Sequence, residues 1–283
     1  MSRFITSLSD FYRIWVKDLF HTDSRYVPAE HTLREDVETY LVRVCIHEWG
    51  GYGGRRNKNI RRIAPFECGL DFQLKRFREY DGKRPLSLTL TMSEPFRHTG
   101  LEGVKSMCDV FMPVSNQGMD FSGYSAFVES LKGSPNGYII LTNSSINSLQ
   151  EDFLDSYIDF MEAHPEVGLL GVSSSSKYYQ TLRCHNFNPH LQSFFILTTK
   201  EVIERIVALN GGVFPGIDQT NKHLLIRNGE VLLSSLALDA GYRLAVVKDG
   251  RPYIFDRSDY PFPPGDLRIY IKYPNAIQAI SDY

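Results

Sequence analysis

Segments with the residue pattern of β-strands alternate with segments typical of α-helices along most of this chain. Amphipathic stretches that present one apolar face separate the strand-like segments. The strand-like segments are residues 39–49, 85–92, 108–114, 138–142, 167–172, 191–198 and 242–247. Such alternation predicts an α/β fold in which helices flank a mainly parallel central sheet. Because no internal repeat or low-complexity linker interrupts the pattern, we predict a single domain.

The two ends of the chain differ from this central part. Residues 8–20 carry large apolar side chains at helical spacing, so an N-terminal extension, residues 1–35, is predicted to contain an amphipathic helix. This helix either packs on the domain or binds a membrane surface or a partner. Residues 251–283 are rich in Pro and Tyr and predict an irregular C-terminal extension, which leaves residues 36–250 as the main domain.

Composition excludes several classes of protein. The formal net charge of −2 provides no global field that would recruit nucleic acid. The apolar runs are far shorter than the roughly 20 residues that span a bilayer, and the start of the chain lacks the apolar core of a signal peptide. The four cysteines are widely spaced and form no CxxC pair. We therefore expect a cytoplasmic protein with reduced thiols, which associates at most peripherally with the inner face of a membrane.

Residues 116–145 are the most informative part of the chain. A polar loop ends in Asp120, an amphipathic helix follows, and an apolar strand then ends in Asn143, Ser144 and Ser145. In open α/β sheets, ligands bind just beyond the carboxyl ends of strands, so this strand end predicts a ligand crevice. Asp120 either contacts that ligand or caps the helix, and one residue can do both.

A loop rich in glycine and arginine follows the first strand at residues 50–62. Its glycines allow a ligand to approach the backbone closely, and Arg55 and Arg56 begin a concentration of positive charge. Forked guanidinium donors and backbone N–H groups suit a diphosphate. The loop matches neither a P-loop nor a GxGxxG fingerprint, so a solvated basic loop is the alternative interpretation.

Three segments occur in a characteristic order: 116–121 (NQGMDF), 138–145 (YIILTNSS) and 190–195 (HLQSFF). They resemble the N-x-G-x-D-[FI] segment, the strand ending in Asn-Asp-Ser and the H-[LIM]-Q-S-[YF]-F strand of the bacterial rhamnan-synthesis type of polysaccharide glycosyltransferase. These are nucleotide-sugar glycosyltransferases of the GT-A fold. A looser match is Gly229-Glu230, followed by a helix that ends at Gly241-Tyr242, where many GT-A enzymes carry Glu-Asp.

The resemblance implies a GT-A-like, Rossmann-like domain and an enzyme of surface polysaccharide synthesis, such as capsule or O-antigen. Its reaction would be inverting transfer of a hexosyl or deoxyhexosyl group from a nucleotide-diphosphate sugar to a glycan or lipid-linked acceptor. Matching positions imply that Glu230 is the general base. The donor would contact Asn116, Gly118, Asp120, Asn143, Ser144 and Ser145, together with Arg55 and Arg56 of the basic loop, and the acceptor pocket would contain His190, Gln192 and Ser193.

The chain departs from this family at Ser144, where the family carries the aspartate that stands in the metal-binding position of other GT-A enzymes. Mg²⁺ prefers carboxylate oxygens, so we predict no metal and no other cofactor here. Either the basic run at 55–62 neutralises the leaving diphosphate, or the protein has lost catalysis and only binds a nucleotide sugar or glycan. A sugar nucleotidyltransferase is a third hypothesis, but its acidic metal ligands are not recognisable. For Glu230, the alternative role is to complement a helix dipole at the start of a helix.

Overall fold

The computed structural model describes residue 12 and residues 30–180, 185–259 and 267–281. The helix predicted at residues 8–20 therefore lies, apart from residue 12, outside the described residues. The strands are β1 (Thr39–Trp49), β2 (Arg56–Lys58), β3 (Phe66–Cys68), β4 (Leu86–Ser93), β5 (Val110–Val114), β6 (Gly137–Asn143), β7 (Val167–Gly171), β8 (Ser174–Gln180), β9 (His185–Leu191), β10 (Phe195–Thr199), β11 (Arg243–Lys248) and β12 (Arg251–Phe255).

The helices lie between these strands, as the alternating sequence pattern predicts. They are α1 (Leu70–Arg78), α2 (Leu101–Ser106), α3 (Asp120–Ser130), α4 (Leu154–Ala163), α5 (Lys200–Leu209), α6 (Lys222–Leu225) and α7 (Leu232–Asp239). A π-helical segment, Ile226–Val231, joins α6 to α7, so that residues 222–239 form one continuous helical run. Short 3₁₀ turns occur at Pro95–Arg97 and Leu267–Tyr270.

The central sheet has eight strands in the order β12-β11-β7-β10-β6-β1-β4-β5. The pairs β6–β1, β1–β4, β4–β5 and β7–β11 are parallel. Strand β10 runs antiparallel to both of its neighbours, and β12 runs antiparallel to β11. The prediction of a Rossmann-like α/β fold with a mainly parallel sheet is thus confirmed. The single strand predicted at 191–198 is instead divided: β9 pairs with β8 in a separate sheet, and only β10 enters the central one.

Helices cover both faces of the central sheet and bury two apolar clusters. On one face α1 and α4 pack against the sheet through Phe77, Phe160 and their neighbours. On the other face α3, α5 and α7 pack through Phe127, Ile206 and Leu236. Strand β6 is buried along its whole length, because its alternate side chains enter opposite clusters.

The segment after residue 250 is more ordered than the irregular extension predicted from its Pro and Tyr content. Strand β12 forms a hairpin with β11, and the turn between them places Asp249 and Gly250 at positive φ. Further on, Ile277 and Ile280 are buried in the cluster that contains α1 and α4. The predicted boundary at residue 250 therefore falls inside a hairpin, and the chain beyond it adds apolar surface to the core of the domain.

Candidate functional site

A cavity of about 610 Å³ lies where β1 and β6 end. Of the residues predicted from the sequence, it is lined by Arg56, Asn116, Asp120, Asn143, Ser144, Ser145, Gln192, Ser193 and Glu230. Lys58 of the basic run at 55–62 also lines it. So do residues that the sequence did not single out for the site: His47, Glu48, Trp49, Tyr52, Met119, Phe121, Phe194, Lys222, Leu225, Ile226 and Arg268. The strand ends and the helical run at 222–239 thus meet around one space, as expected for a ligand crevice in an α/β sheet.

Arg56 and Glu48 form an ion pair beside Ser144 on one wall of the cavity. The guanidinium of Arg56 donates from Nη2 to the Ser144 hydroxyl at 2.6 Å and from Nη1 to Glu48 Oε2 at 3.4 Å. Its carbon lies 4.2 Å from the centre of the Tyr52 ring, which is a cation–π contact. Strand β2, which carries Arg56, is held by pairing with β3. A forked cation therefore stands beside Ser144, just beyond the end of β6.

Glu48 is a buried carboxylate that the sequence analysis missed. Its side chain is 2% exposed. Burial raises the pKa of Glu48 to about 7, and the Arg56 charge and hydrogen bonds from Ser144 and the Trp49 N–H oppose that rise. The available signal was an acid near the carboxyl end of a strand that is apolar at Val42, Val44 and Ile46, because an acid buried in a strand needs a partner.

Asp120 and Asn143 are joined across the base of the cavity. Asn143 Nδ2 donates to Asp120 Oδ2 at 2.7 Å, and Asn143 Oδ1 accepts from the Ser145 N–H at 2.8 Å. The alternative role of Asp120 as a helix cap is wrong: Met119 is the N-cap residue, Asp120 is the first residue of α3, and no side chain caps this end. Met119 has φ 49° and ψ −128°, a strained conformation that turns the chain into the helix beside the cavity.

Glu230 lies in the π-helical segment, not at the start of a helix. The helical run begins at Lys222, capped by Asn221, so the alternative role of Glu230 in complementing a helix dipole is wrong. Ser193 donates to Glu230 Oε1 from its hydroxyl at 2.7 Å and from its N–H at 3.3 Å. Among the described residues, no donor to Oε2 is found. One oxygen of a partly exposed carboxylate is thus fixed while the other is available to a ligand.

Close packing against Phe121 explains why residue 229, beside Glu230, is a glycine. A Cβ at residue 229 would lie 2.8 Å from Cζ of Phe121, a ring that is itself buried between α3 and the helical run. We expect Gly229→Ala to lower the free energy of unfolding by about 1–3 kcal/mol through overpacking. The measurement is the midpoint of urea unfolding. Gly103→Ala in α2 is the matched control, because nothing lies within 4 Å of the added methyl group, and it should be neutral or slightly stabilising. Equal midpoints for the two variants would contradict this account.

Three further cations line the cavity, and they come from separate parts of the chain. Lys58 follows Arg56 on β2, Lys222 begins α6, and Arg268 lies in the 3₁₀ turn near the C-terminus. Burial, with the charges of Arg268 and Arg56, lowers the pKa of Lys58 to about 8. Arg268 also lies over the ring of Phe194. Because the charges of Arg268 and Arg56 both reach Lys58, these three cations are close enough to act on one anion.

Two aromatic side chains and a histidine complete the lining. Trp49 and Tyr52 meet edge to face with ring centres 4.9 Å apart, and Trp49 Nε1 donates to Glu94 Oε2. His47 is buried, contacts Thr91 Oγ1 through Nδ1 at 3.0 Å, and has a pKa lowered by burial. The aromatic pair adds apolar lining to an otherwise polar wall of the cavity, of the kind that packs against a sugar or a base.

Three predicted site residues do not line the cavity. Arg55 points away and pairs with Asp71 at 3.4 Å, and its side chain is 66% exposed. At Gly118 the backbone packs too closely for a side chain, because a Cβ there would lie 2.8 Å from the Ile217 carbonyl oxygen. His190 is buried in β9, behind the loop that carries Gln192 and Ser193.

The residues at the Ser144 corner do not fit a divalent cation, because a guanidinium already contacts the hydroxyl there. Within residues 30–180, 185–259 and 267–281, no group of three His, Cys, Asp or Glu side chains is arranged to bind a metal ion. No helix in this same part of the chain is both long enough and apolar enough to cross a membrane.

No protein-family model matches this sequence, and no curated protein matches it. A solved 4-diphosphocytidyl-2C-methyl-D-erythritol synthase from Anaerococcus prevotii DSM 20548 is 8% identical with a TM-score of 0.41, over 71% of this chain and 96% of that one. A CMP:2-keto-3-deoxy-manno-octonic acid synthetase complexed with CTP is 10% identical with a TM-score of 0.34, over 63% and 93%. At these scores the likeness carries no argument about ligand or reaction, and the family inferred from the sequence motifs stays a prediction.

Proposed function

We propose that this protein is an inverting glycosyltransferase that moves a sugar from a nucleotide-diphosphate donor to a glycan or lipid-linked acceptor, without a divalent cation. The observation that carries the proposal is that one cavity contains both several cations and the carboxylate of Glu230. The proposed setting is surface polysaccharide synthesis in the cytoplasm, at the inner face of the membrane where the acceptor is lipid-linked. The size of the cavity, about 610 Å³, is in the range of pockets that bind small molecules.

The donor's diphosphate would lie against the cations. Arg56 offers a forked pair of N–H donors, and Lys58, Lys222 and Arg268 add charge around the same space. When the bond from the anomeric carbon to the diphosphate oxygen breaks, its electron pair goes to the diphosphate. Fixed positive groups stabilise that developing charge without having to reorganise, which is the role of a metal ion in related chemistry.

The acceptor hydroxyl would be activated by Glu230. The oxygen of the acceptor hydroxyl forms the new bond to the anomeric carbon, on the face opposite the diphosphate. The proton of that hydroxyl goes to Glu230 Oε2. Ser193 keeps the carboxylate in place through Oε1. The π-helical segment supports this role, since π turns in helices occur frequently at functional sites.

A non-catalytic protein that binds a nucleotide sugar or glycan is the second candidate. The observation in its favour is Ser144, which provides a neutral hydroxyl at a position where the family carries an acid. Donor binding without hydrolysis or transfer across a broad panel of acceptors would support this candidate and contradict the first.

A thermal-shift screen tests donor class and metal need together. We expect one of the UDP-, GDP- and dTDP-sugars to raise Tm equally with EDTA and with Mn²⁺, because the cavity supplies its own cations. At a ligand concentration of 100 Kd the stabilisation is about 2.7 kcal/mol, which is readily measured. A shift that appears only with Mn²⁺ would contradict the metal-independent proposal, and no shift with any nucleotide sugar would contradict the donor class.

A further inference from the structure

Arg56 is held from three directions before any ligand binds. Its Nη2 donates to the Ser144 hydroxyl at 2.6 Å and to the Ser144 carbonyl oxygen at 3.3 Å. Its Nη1 donates to Glu48 Oε2 at 3.4 Å, and Tyr52 lies beneath its plane at 4.2 Å. Of these acceptors, Glu48 is the one that carries a negative charge, so an incoming anion competes with it directly for the Arg56 guanidinium.

Glu48 depends on Arg56 for its charge. The Trp49 N–H donates to Oε1 at 2.9 Å, while Oε2 faces Arg56. The side chain is almost fully buried. A carboxylate in the interior is stable only while a cation and hydrogen-bond donors compensate it.

We propose that Glu48 is a positioning residue that competes with a bound diphosphate for Arg56, and that it takes up a proton when the diphosphate binds. This inference rests on the proposed function, because it assigns the anion site of the same cavity. It adds a role for a residue that does not touch the reacting atoms, and it couples donor binding to pH.

The surroundings of Glu48 determine the direction of the coupling. Arg56 on β2 is the cation that acts on Glu48, and Asp120 at the start of α3 is a nearby carboxylate that raises its pKa further. Cys68 on β3 senses the charges of both Glu48 and Lys58. A diphosphate that binds Arg56 removes compensation from Glu48 and adds negative charge near it. Both changes favour the neutral form of Glu48, so binding raises its pKa further.

The sign of the pH effect follows from this rise. Burial has already raised the pKa of Glu48 to about 7, so below this pH the acid is largely protonated and binding takes up no further proton. Above it, each diphosphate must bring a proton to Glu48, and the affinity falls by up to about tenfold per pH unit for one linked proton. Affinity is therefore highest at mildly acidic pH and declines above neutrality.

The test uses the full chain and P1,P2-dimethyl diphosphate, a diester whose two charges do not titrate near neutral pH. Titration calorimetry in EDTA, between pH 6 and pH 8.5 and in two buffers of different ionisation enthalpy, gives the affinity and the number of protons taken up. We expect the wild type to lose up to about tenfold in affinity per pH unit above 7 and to take up close to one proton. In Glu48→Gln the affinity should be nearly independent of pH between pH 6 and about 7.5, with far less proton uptake than in the wild type. Above pH 7.5, Lys58, whose pKa is about 8, adds the same uptake in both proteins.

Asp71→Asn is the matched control, because Asp71 pairs with Arg55 outside the cavity, and it should behave like the wild type. Proton uptake in Glu48→Gln equal to that of the wild type between pH 7 and 7.5 would overturn the inference. So would a wild type that binds the diester without proton uptake above pH 7, a result that stands even if the variant fails to fold. The inference and the proposed function can fail separately. If the protein binds the diester with proton uptake but no nucleotide sugar raises its Tm, this inference stands and the proposed function is rejected.

Discussion

Glu230→Gln is expected to lower the rate of sugar transfer by about 10²–10⁴-fold, because glutamine cannot accept the proton of the acceptor hydroxyl. The amide oxygen can still accept the hydrogen bonds that Ser193 donates at 2.7 and 3.3 Å, so the helical run should keep its position. Donor affinity, measured by calorimetry, should remain within about threefold of the wild type, since the variant changes the transition state more than the ground state. The rate is measured with saturating donor and acceptor.

Glu204→Gln is the matched control for this prediction. Glu204 lies on α5, is half exposed and pairs with Lys200, away from the cavity. It should transfer sugar at the wild-type rate. Transfer by Glu230→Gln within about tenfold of the wild type would remove Glu230 as the base. Equal loss in both variants would indicate a general effect on folding.

Arg56→Ala is expected to weaken donor binding by roughly 10- to 150-fold, the equivalent of one hydrogen bond to a charged group at about 1.5–3 kcal/mol. Arg55→Ala, one residue away, should leave donor affinity unchanged, because Arg55 pairs with Asp71 at the surface. The two variants remove the same type of side chain from adjacent positions. The comparison therefore isolates the effect of losing an arginine that lines the cavity. Donor affinity in EDTA is the measurement.

The substitution Arg56→Ala also removes the cation that compensates Glu48. The free energy of unfolding of this variant must therefore be measured together with its affinity for the donor. We expect Arg56→Ala to be less stable than the wild type, because the buried carboxylate of Glu48 is left without a cation. Most of this loss of stability should disappear in the double variant Glu48→Gln/Arg56→Ala, which has no buried carboxylate to compensate. Donor affinity should stay low in the double variant. A double variant that binds donor like the wild type would show that Arg56 acts only by compensating Glu48.

Local patterns were sufficient to predict most elements of the fold, and long-range pairing was not predictable from them. Apolar periodicity located β1, β4, β6, β7 and β11, because each is buried over most of its length. The run at 191–198 is also apolar, but apolar content does not show whether a strand is parallel or antiparallel to its neighbours. It also does not show that such a run is divided between strands of two different sheets. The strand at 251–255 was missed because Pro252 suggested a loop, although an edge strand tolerates proline.

The candidate site was predictable where it lies at the end of a strand. Asn143 and Ser144 follow an apolar run directly, and Asp120 begins the helix before it, so local sequence indicated all three. Lys222 and Arg268 are far along the chain from those segments, and only the folded chain brings them to the cavity. The π-helical turn was equally hidden, because a helix interrupted by Gly229 resembles a helix that begins there.

The position of β10 in the sheet has a consequence for synthesis of the chain. By residue 143 a ribosome has made β1, β4, β5 and β6, which are neighbours in the sheet, but the other edge of β6 pairs with β10, which has not yet been made. At about 5–20 residues per second, the roughly 50 residues from the end of β6 to the start of β10 take on the order of 3–10 s to translate. During that interval the nascent chain exposes an unpaired edge of a strand that is buried along its whole length in the folded protein, which favours pairing with other chains. A translational stall before residue 195 would therefore leave a half-sheet that depends on chaperones to remain unaggregated.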